Sequence, residues 1–185
     1  MIVIIGMTAS GKDTIVNKLV YKYGYSKVVT YTTRPMRIGE IQGTTYHFIS
    51  NSDFYSKIDS NFFAEWKSYD TIQGKWYYGS AKEDYTKDSD KSVIILTPDG
   101  YRDICKVLED KPKSIYIYSD KKTIKDRLLK RGDNKKEAKR RLKHDLKDFA
   151  GIKYEVDKVI YNNNNTDIDD IVDQIICYIE GDEII

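Results

Sequence analysis

The sequence predicts an α/β fold: a mostly parallel sheet with crossover helices, interrupted by an inserted β-rich lobe. Two observations carry this. Short apolar runs at 2–5 (IVII), 92–96 (SVIIL) and 114–118 (SIYIY) read as buried strands, and each leads into a segment with apolar residues at helical spacing. Between about Thr32 and Asp90 aromatic residues become frequent, apolar runs shorten, and Gly39, Gly43, Gly74 and Gly79 punctuate the chain. A chain of 185 residues holds one such core with insertions, and two independent domains would be a tight fit.

The elements follow in order. After the strand at 2–5 a helix begins near Lys12, because Ile15, Val16, Leu19 and Val20 recur on one face. Val28 and Val29 supply a second short strand. The β-rich segment carries a small helix near 51–59. The core resumes with the strand at 92–96, a helix over 100–109, the strand at 114–118 and a helix over about 121–130 with Ile124, Leu128 and Leu129 on its apolar side. The charged run RGDNKKEAKRR follows. Asn134 and Glu137 have capping-box spacing, and Ala138, Leu142, Leu146 and Phe149 continue one helical face. A strand at 157–161 and a polar asparagine loop precede the last helix, where Thr166 and Asp169 have cap-like spacing and Ile168, Ile171, Val172, Ile175, Ile176 and Ile179 form the apolar face.

Composition narrows the functional classes. The formal charge of +2 gives no global argument for nucleic-acid binding, so electrostatic recognition must be local. Cys105 and Cys177 lie far apart in helical segments, without metal-like spacing, and read as ordinary thiols. The start MIVIIGM has too few apolar residues for a signal peptide, and no stretch approaches a membrane span. The expectation is a cytoplasmic protein with no membrane and no nucleic-acid partner.

The strongest motif is GMTASGK at 6–12, between an apolar strand and an amphipathic helix. That context is what a phosphate-binding P-loop requires: backbone N–H groups of Gly6, Ala9, Ser10 and Gly11 line a cradle, and Lys12 reaches the β- and γ-phosphates of a nucleotide. Position 13 departs from the motif, with Asp13 then Thr14 in place of a hydroxyl residue that meets Mg²⁺. Asp13 either binds Mg²⁺, directly or through water, or serves the helix start while Thr14 contacts phosphate.

The segment from Thr30 to Glu40 holds Arg34 and Arg37, whose guanidiniums suit a fixed phosphate through paired charge-assisted hydrogen bonds. Tyr46 offers a further donor. Glu65, next to Trp66, accepts two hydrogen bonds and donates none when ionised, so it suits the paired N–H donors of guanine and not the edge of adenine. Arg127 and Arg131 are four apart on one helix face, and Gly132 permits a bend after them.

These motifs resemble guanylate kinases over nearly the whole chain. The matching stretches are GMTASGK, TYTTRPMRIGEIQGTTYHF at 30–48, FAE at 63–65, YGS at 78–80, RLLKRG at 127–132 and KVIYN at 158–162. The resemblance implies a P-loop kinase core over 1–31 and 91–185, an acceptor-binding lobe over 32–90, and a small helical lid over 127–141. It implies transfer of the γ-phosphoryl of ATP, with Mg²⁺, to GMP or dGMP. Arg34, Arg37, Tyr46 and Tyr78 would bind the acceptor phosphate, and Thr30, Glu65 and Ser80 would read or support guanine. Arg127, Arg131 and Arg141 would be lid arginines acting in transfer with Lys12 and Arg34, with neighbouring Arg140 an alternative to Arg141. Asn162 would lie near adenine.

The sequence departs from the family after the strand at 92–96, where an Asp-x-Asp is often found and this chain has LTPDG. Asp99 is the nearest match to the second acid, and either organises Arg34, the acceptor ribose or hydrated Mg²⁺, or belongs to a plain turn. Thr97 replaces the other carboxylate. A monomer or homodimer is expected.

Overall fold

The computed structural model describes residues 1–85, 91–132 and 135–181, with residue 137 described by its backbone alone. The capping-box spacing of Asn134 and Glu137, and residues 86–90 of the β-rich segment, fall outside the described residues. Five strands form a parallel sheet in the order β2-β7-β1-β8-β9: β1 is Ile2–Ile5, β2 Ser26–Lys27, β7 Ser92–Leu96, β8 Lys113–Tyr118 and β9 Lys158–Tyr161. Strand β1 runs through the middle, with Ile2 opposite Val93 on one side and Lys113 on the other, and all four of its residues are buried.

Both faces of this sheet are covered, which is why its strands read as continuous apolar runs. On one face α1 (Lys12–Tyr23) and α6 (Ile168–Glu180) bury Ile15, Val16, Leu19, Ile171, Val172 and Ile175 against Ile2, Ile4, Ile115 and Ile117. On the other, α3 (Pro98–Val107) packs Tyr101 and Ile104 against Val3, Ile5, Ile94 and Tyr116. Each fully buried isoleucine removes enough apolar surface to contribute roughly 2 kcal/mol. Helices α4 (Lys121–Lys130) and α5 (Lys135–Asp148) then cross one end of the sheet, where Ile124, Leu128 and Leu142 meet Met7.

A second, four-stranded sheet lies between β2 and β7 in sequence, in the order β4-β3-β6-β5: β3 is Tyr31–Thr32, β4 His47–Phe48, β5 Phe63–Thr71 and β6 Gly74–Ala81. Helix α2 (Asn51–Asp59) seats Phe54 on Phe63 and Tyr77, with the Phe54 and Phe63 rings stacked at 4.4 Å. A register shift between Phe63 and Glu65 decides how this sheet serves the site. Residues two apart on a regular strand share a face, and the irregularity lets Phe63 enter the aromatic cluster while Glu65 meets Ser80.

Several boundaries differ from the sequence expectation. The second strand is Ser26–Lys27, ahead of Val28 and Val29, although the Val28 amide still bonds Val93 at 2.9 Å. The helix expected at 100–109 starts at Pro98, because Thr97 caps it and Pro98 fits the first turn, which absorbs the anticipated Pro98-Asp99-Gly100 turn. The last helix is capped by Asp167, whose side chain accepts from the Asp169 amide, and Thr166 instead accepts from the Asn163 amide. Both cysteines are free and half-buried. Among the described residues no helix is long and apolar enough to cross a membrane.

Candidate active site

The carboxyl ends of parallel strands are where α/β sheets bind ligands. Here the loops after β1 and β7 join the second sheet and α5 around one open cleft of about 260 Å³. Gly6, Thr8, Lys12, Thr30, Tyr46, Glu65, Tyr78, Thr97, Arg141 and Asp145 all line it.

The loop from Gly6 to Gly11 turns tightly before α1. Ala9 and Gly11 both take positive φ, at 56° and 91°. A Cβ on Gly11 would lie 2.4 Å from the Asn162 side-chain nitrogen, so glycine is required both by the backbone angle and by that contact. Lys12 folds back over the loop and donates to the carbonyls of Gly6 and Met7 at 2.7 and 2.8 Å. Burial holds its pKa below the usual lysine range, against the opposing influence of Asp13 and Asp145, and Arg131 adds to the lowering. The Ser10 hydroxyl is buried without a hydrogen-bond partner. Asp13 and Thr14 are exposed on the first turn of α1.

Asn162 and Arg127 brace this loop from behind. The Asn162 amide donates to the Ser10 carbonyl at 2.8 Å and accepts from Arg127 at 3.0 Å, and Arg127 also reaches the Ala9 carbonyl at 3.4 Å. Asn162 is fully buried. Its side chain therefore holds the cradle's shape.

Behind Tyr46, which lines the cleft, Arg34 is 4 % exposed and bonded twice to Glu40, at 2.7 and 3.0 Å, with its guanidinium 5.5 Å from the Tyr46 ring centre. Glu40 also accepts from the Arg37 amide at 2.7 Å, so one carboxylate shapes the whole arginine turn. Burial lowers the Arg37 pKa, and Arg34, Arg141 and Arg131 lower it further. Like charges from the second sheet and from α4–α5 thus converge on Arg37. Tyr46 and Tyr78 sit edge to face at 6.2 Å, and burial raises the Tyr46 pKa.

Deeper in the cleft Glu65 is 8 % exposed and accepts from the Ser80 hydroxyl at 2.8 Å. Burial pushes its pKa up to about 7, against the Ser80 hydrogen bond and Lys67. Thr30 lines the same space.

The strand-to-helix loop, the arginine turn and the buried acid all lie within the stretch that a protein-family model covers. The family model described as guanylate kinase matches residues 1–181. The chain belongs to the guanylate kinase family. A guanylate kinase of Clostridium tetani is 32% identical over 141 residues, 75% of this chain and 66% of that protein. The guanylate kinase of Wolinella succinogenes is 32% identical over 171 residues, covering 89% and 77%. Among solved structures, the guanylate kinase from Anaplasma phagocytophilum superposes with a TM-score of 0.72 at 21% identity, over 100% of this chain and 86% of that one, a likeness of fold.

Against the guanylate kinase pattern, the structure does not bring Asp99 to the cleft. Its carboxylate is 59% exposed and pairs with Arg102 at 2.7 Å, because the first turn of α3 points it outward. Thr97 faces the cleft in its place. Asp145, Tyr69 and Trp76 are among the cleft residues that no motif carries. Asp145 of α5 accepts from the Thr8 amide at 2.6 Å. Burial raises its pKa, while the Thr8 amide and Lys12 act against that rise. Tyr69 and Trp76, on the β5–β6 hairpin, reach α5, with Tyr69 edge-on to His144 at 5.6 Å and Arg141 over Trp76 at 5.4 Å. The abundance of aromatic residues at 32–90 was visible in the sequence, but its meeting with α5 was not. Among the described residues no cluster of three or more His, Cys, Asp or Glu side chains could hold a metal ion.

Proposed function

We propose that this chain transfers the γ-phosphoryl of ATP to GMP or dGMP, giving ADP and GDP or dGDP. The observation that carries the reading is one cleft lined by Lys12, by Arg141, whose charge reaches Arg37, and by the buried acceptor Glu65. Phosphates need the first two, and guanine, with adjacent N–H donors, needs the third.

The loop fits a nucleotide triphosphate. Ser10 has a buried hydroxyl without a partner, and the glycine-dependent turn presents amides at the start of α1. Asp13 offers hard oxygen donors suited to Mg²⁺, either directly or through water, and the ion when bound would neutralise charge on the phosphates. Thr14 would assist at phosphate. Arg34, Arg37, Tyr46 and Tyr78 would hold the acceptor phosphate in line, Thr30, Glu65 and Ser80 would seat guanine, and Lys12, Arg131 and Arg141 would stabilise charge on the transferring oxygens. Arg127 and Asn162 would keep the loop shaped for ATP. The transfer needs no covalent enzyme intermediate, and closure of the 127–141 segment would exclude water that otherwise takes the phosphoryl group. In this reading 1–31 and 91–185 are the kinase core, 32–90 is the acceptor lobe, and the enzyme works in the cytoplasm as a monomer or homodimer.

The test is ADP formation from Mg-ATP with GMP, dGMP, AMP, CMP, UMP and dTMP offered separately. Turnover confined to GMP and dGMP is expected. Turnover with several bases would make this a broader nucleoside monophosphate kinase. Absence of turnover by folded protein would make it a binding module.

A further inference from the structure

Glu65 reaches its cleft position through Ser80 of the YGS stretch and through two neighbours that no motif marks, Tyr85 and Gly100. Its Oε1 accepts from the Ser80 hydroxyl at 2.8 Å, and the Ser80 oxygen lies 2.7 Å from the Tyr85 hydroxyl. A serine hydroxyl has one proton and two lone pairs. When Glu65 is ionised it only accepts, so the serine proton is committed to Glu65 and Tyr85 must be the donor to Ser80. Ser80 is fully buried, and burial raises the Tyr85 pKa, which keeps that donor proton in place. With Glu65 ionised, the relay therefore has one direction: Tyr85 to Ser80 to Glu65.

The other carboxylate oxygen is set by a glycine. A Cβ on Gly100 would lie 3.0 Å from Glu65 Oε2 and 3.3 Å from Thr97 Oγ1. Oε2 thus rests on the bare backbone of the first turn of α3, a surface that a side chain would occupy.

We propose that Tyr85 is a positioning residue for base recognition, orienting Ser80 so that Glu65 is held as an ionised acceptor with one edge left for guanine. The inference rests on the guanylate kinase reading above. Tyr85 ends a single 3-10 turn, Lys82–Tyr85, that follows β6 directly, so its hydroxyl is placed by the strand that also carries Ser80. The other titratable groups facing Glu65 are Lys67 and Tyr69 on β5 and Asp103 on α3, with Lys67 itself tied to Asp103 at 2.7 Å. Of the groups named here, Tyr85 alone is joined to Glu65 through a buried hydroxyl.

The experiment compares the unmodified enzyme with Tyr85→Phe across pH 5.5–9, measuring kcat and KM for GMP and for ATP, with GMP binding followed separately by tryptophan fluorescence. Losing the donor leaves Ser80 a poorer partner for the carboxylate. At neutral pH the KM and Kd for GMP should rise about tenfold, the scale of one buried hydrogen bond, with a smaller effect on kcat. The acidic limb of kcat/KM for GMP should move to higher pH, and the KM for ATP should stay the same. Unchanged GMP parameters and an unchanged limb would overturn the inference. Equal losses for GMP and ATP with lowered thermal stability would do so too, because they indicate a purely structural tyrosine. If the unmodified enzyme neither binds nor phosphorylates GMP, the guanylate kinase reading itself fails, an outcome distinct from a silent Tyr85→Phe.

Discussion

At the scale of single residues, the governing fact is that Glu65 is a carboxylate in a nearly dry place. Its folded pKa of about 7 stands above the usual 4.5, so the folded chain holds that proton more tightly than the unfolded chain does. By linkage, stability contributed by the protonated form is lost as pH rises from about 4.5 through about 7. Glu65→Gln, which cannot ionise, should therefore be more stable than the parent above pH 7 by up to about 3 kcal/mol and nearly equal to it at pH 4.5, in thermal or urea melts. Its preference for GMP over AMP should collapse, because an amide offers one acceptor where the carboxylate offers two. In the parent enzyme, affinity for GMP should climb as pH passes through about 7. A pH-independent KM for GMP over that range would remove Glu65 from base reading.

At the scale of elements, α5 is more than a cover. It sends Asp145 to the Thr8 amide, with Lys12 close enough to act on its charge, and it lays Arg141 and His144 on Trp76 and Tyr69 of the β5–β6 hairpin. Lys12 donates to loop carbonyls and the Thr8 amide to Asp145, so these two loop donors are met within the protein. In the proposed reaction, ATP phosphates at this loop would meet a carboxylate of like charge. Asp145→Asn keeps an oxygen for the Thr8 amide and removes that charge, so the Kd for ATP should fall by roughly tenfold, equivalent to about 1.4 kcal/mol, as read by titration calorimetry. A weaker Kd would mean that Asp145 chiefly supports Lys12. The helices themselves were legible from the spacing of apolar residues, with Ile124, Leu128 and Leu142 packed as expected, whereas Leu129, expected on the same apolar side as Leu128, is 61% exposed. The Asp145 contact was not, because its partners are 137 residues apart and a lone acid on a charged helix carries no local signal.

At the scale of the whole molecule, cations from separate parts of the chain come close enough to act on one another's charge, and Lys12 and Arg141 among them line the cleft. Lys12 comes from the loop after β1, Arg34 and Arg37 from the turn after β3, and Arg131 and Arg141 from the two helices at the sheet's end. Their mutual repulsion raises the energy of the folded state until an anion spans them. Pyrophosphate should therefore raise the thermal midpoint, and at a hundred times its Kd it should add about 2.7 kcal/mol, an effect that shrinks with added salt. No shift with pyrophosphate at low salt would mean that these cations do not act as one polyanion site.

What the sequence by itself determined is whatever depends on neighbours along the chain. The parallel core follows from apolar runs and helical spacing, and the tight strand-to-helix loop follows from GMTASGK between a strand and a helix. The arginine turn and the acid beside Trp66 were also visible, as residues able to meet phosphate and guanine. What only the tertiary structure decided is direction and pairing between distant segments. Asp99, the acid the motif favoured, is turned out to Arg102 by the first turn of α3, while Asp145 enters the cleft. Asn162 is tied to the loop carbonyl of Ser10, Glu65 is turned to Ser80 beside a strand irregularity, and Tyr85 closes the relay behind it. The physical reason is common to all of these. A side chain's charge and donors are written locally, but its partner is chosen by which strands lie side by side and which helix crosses them.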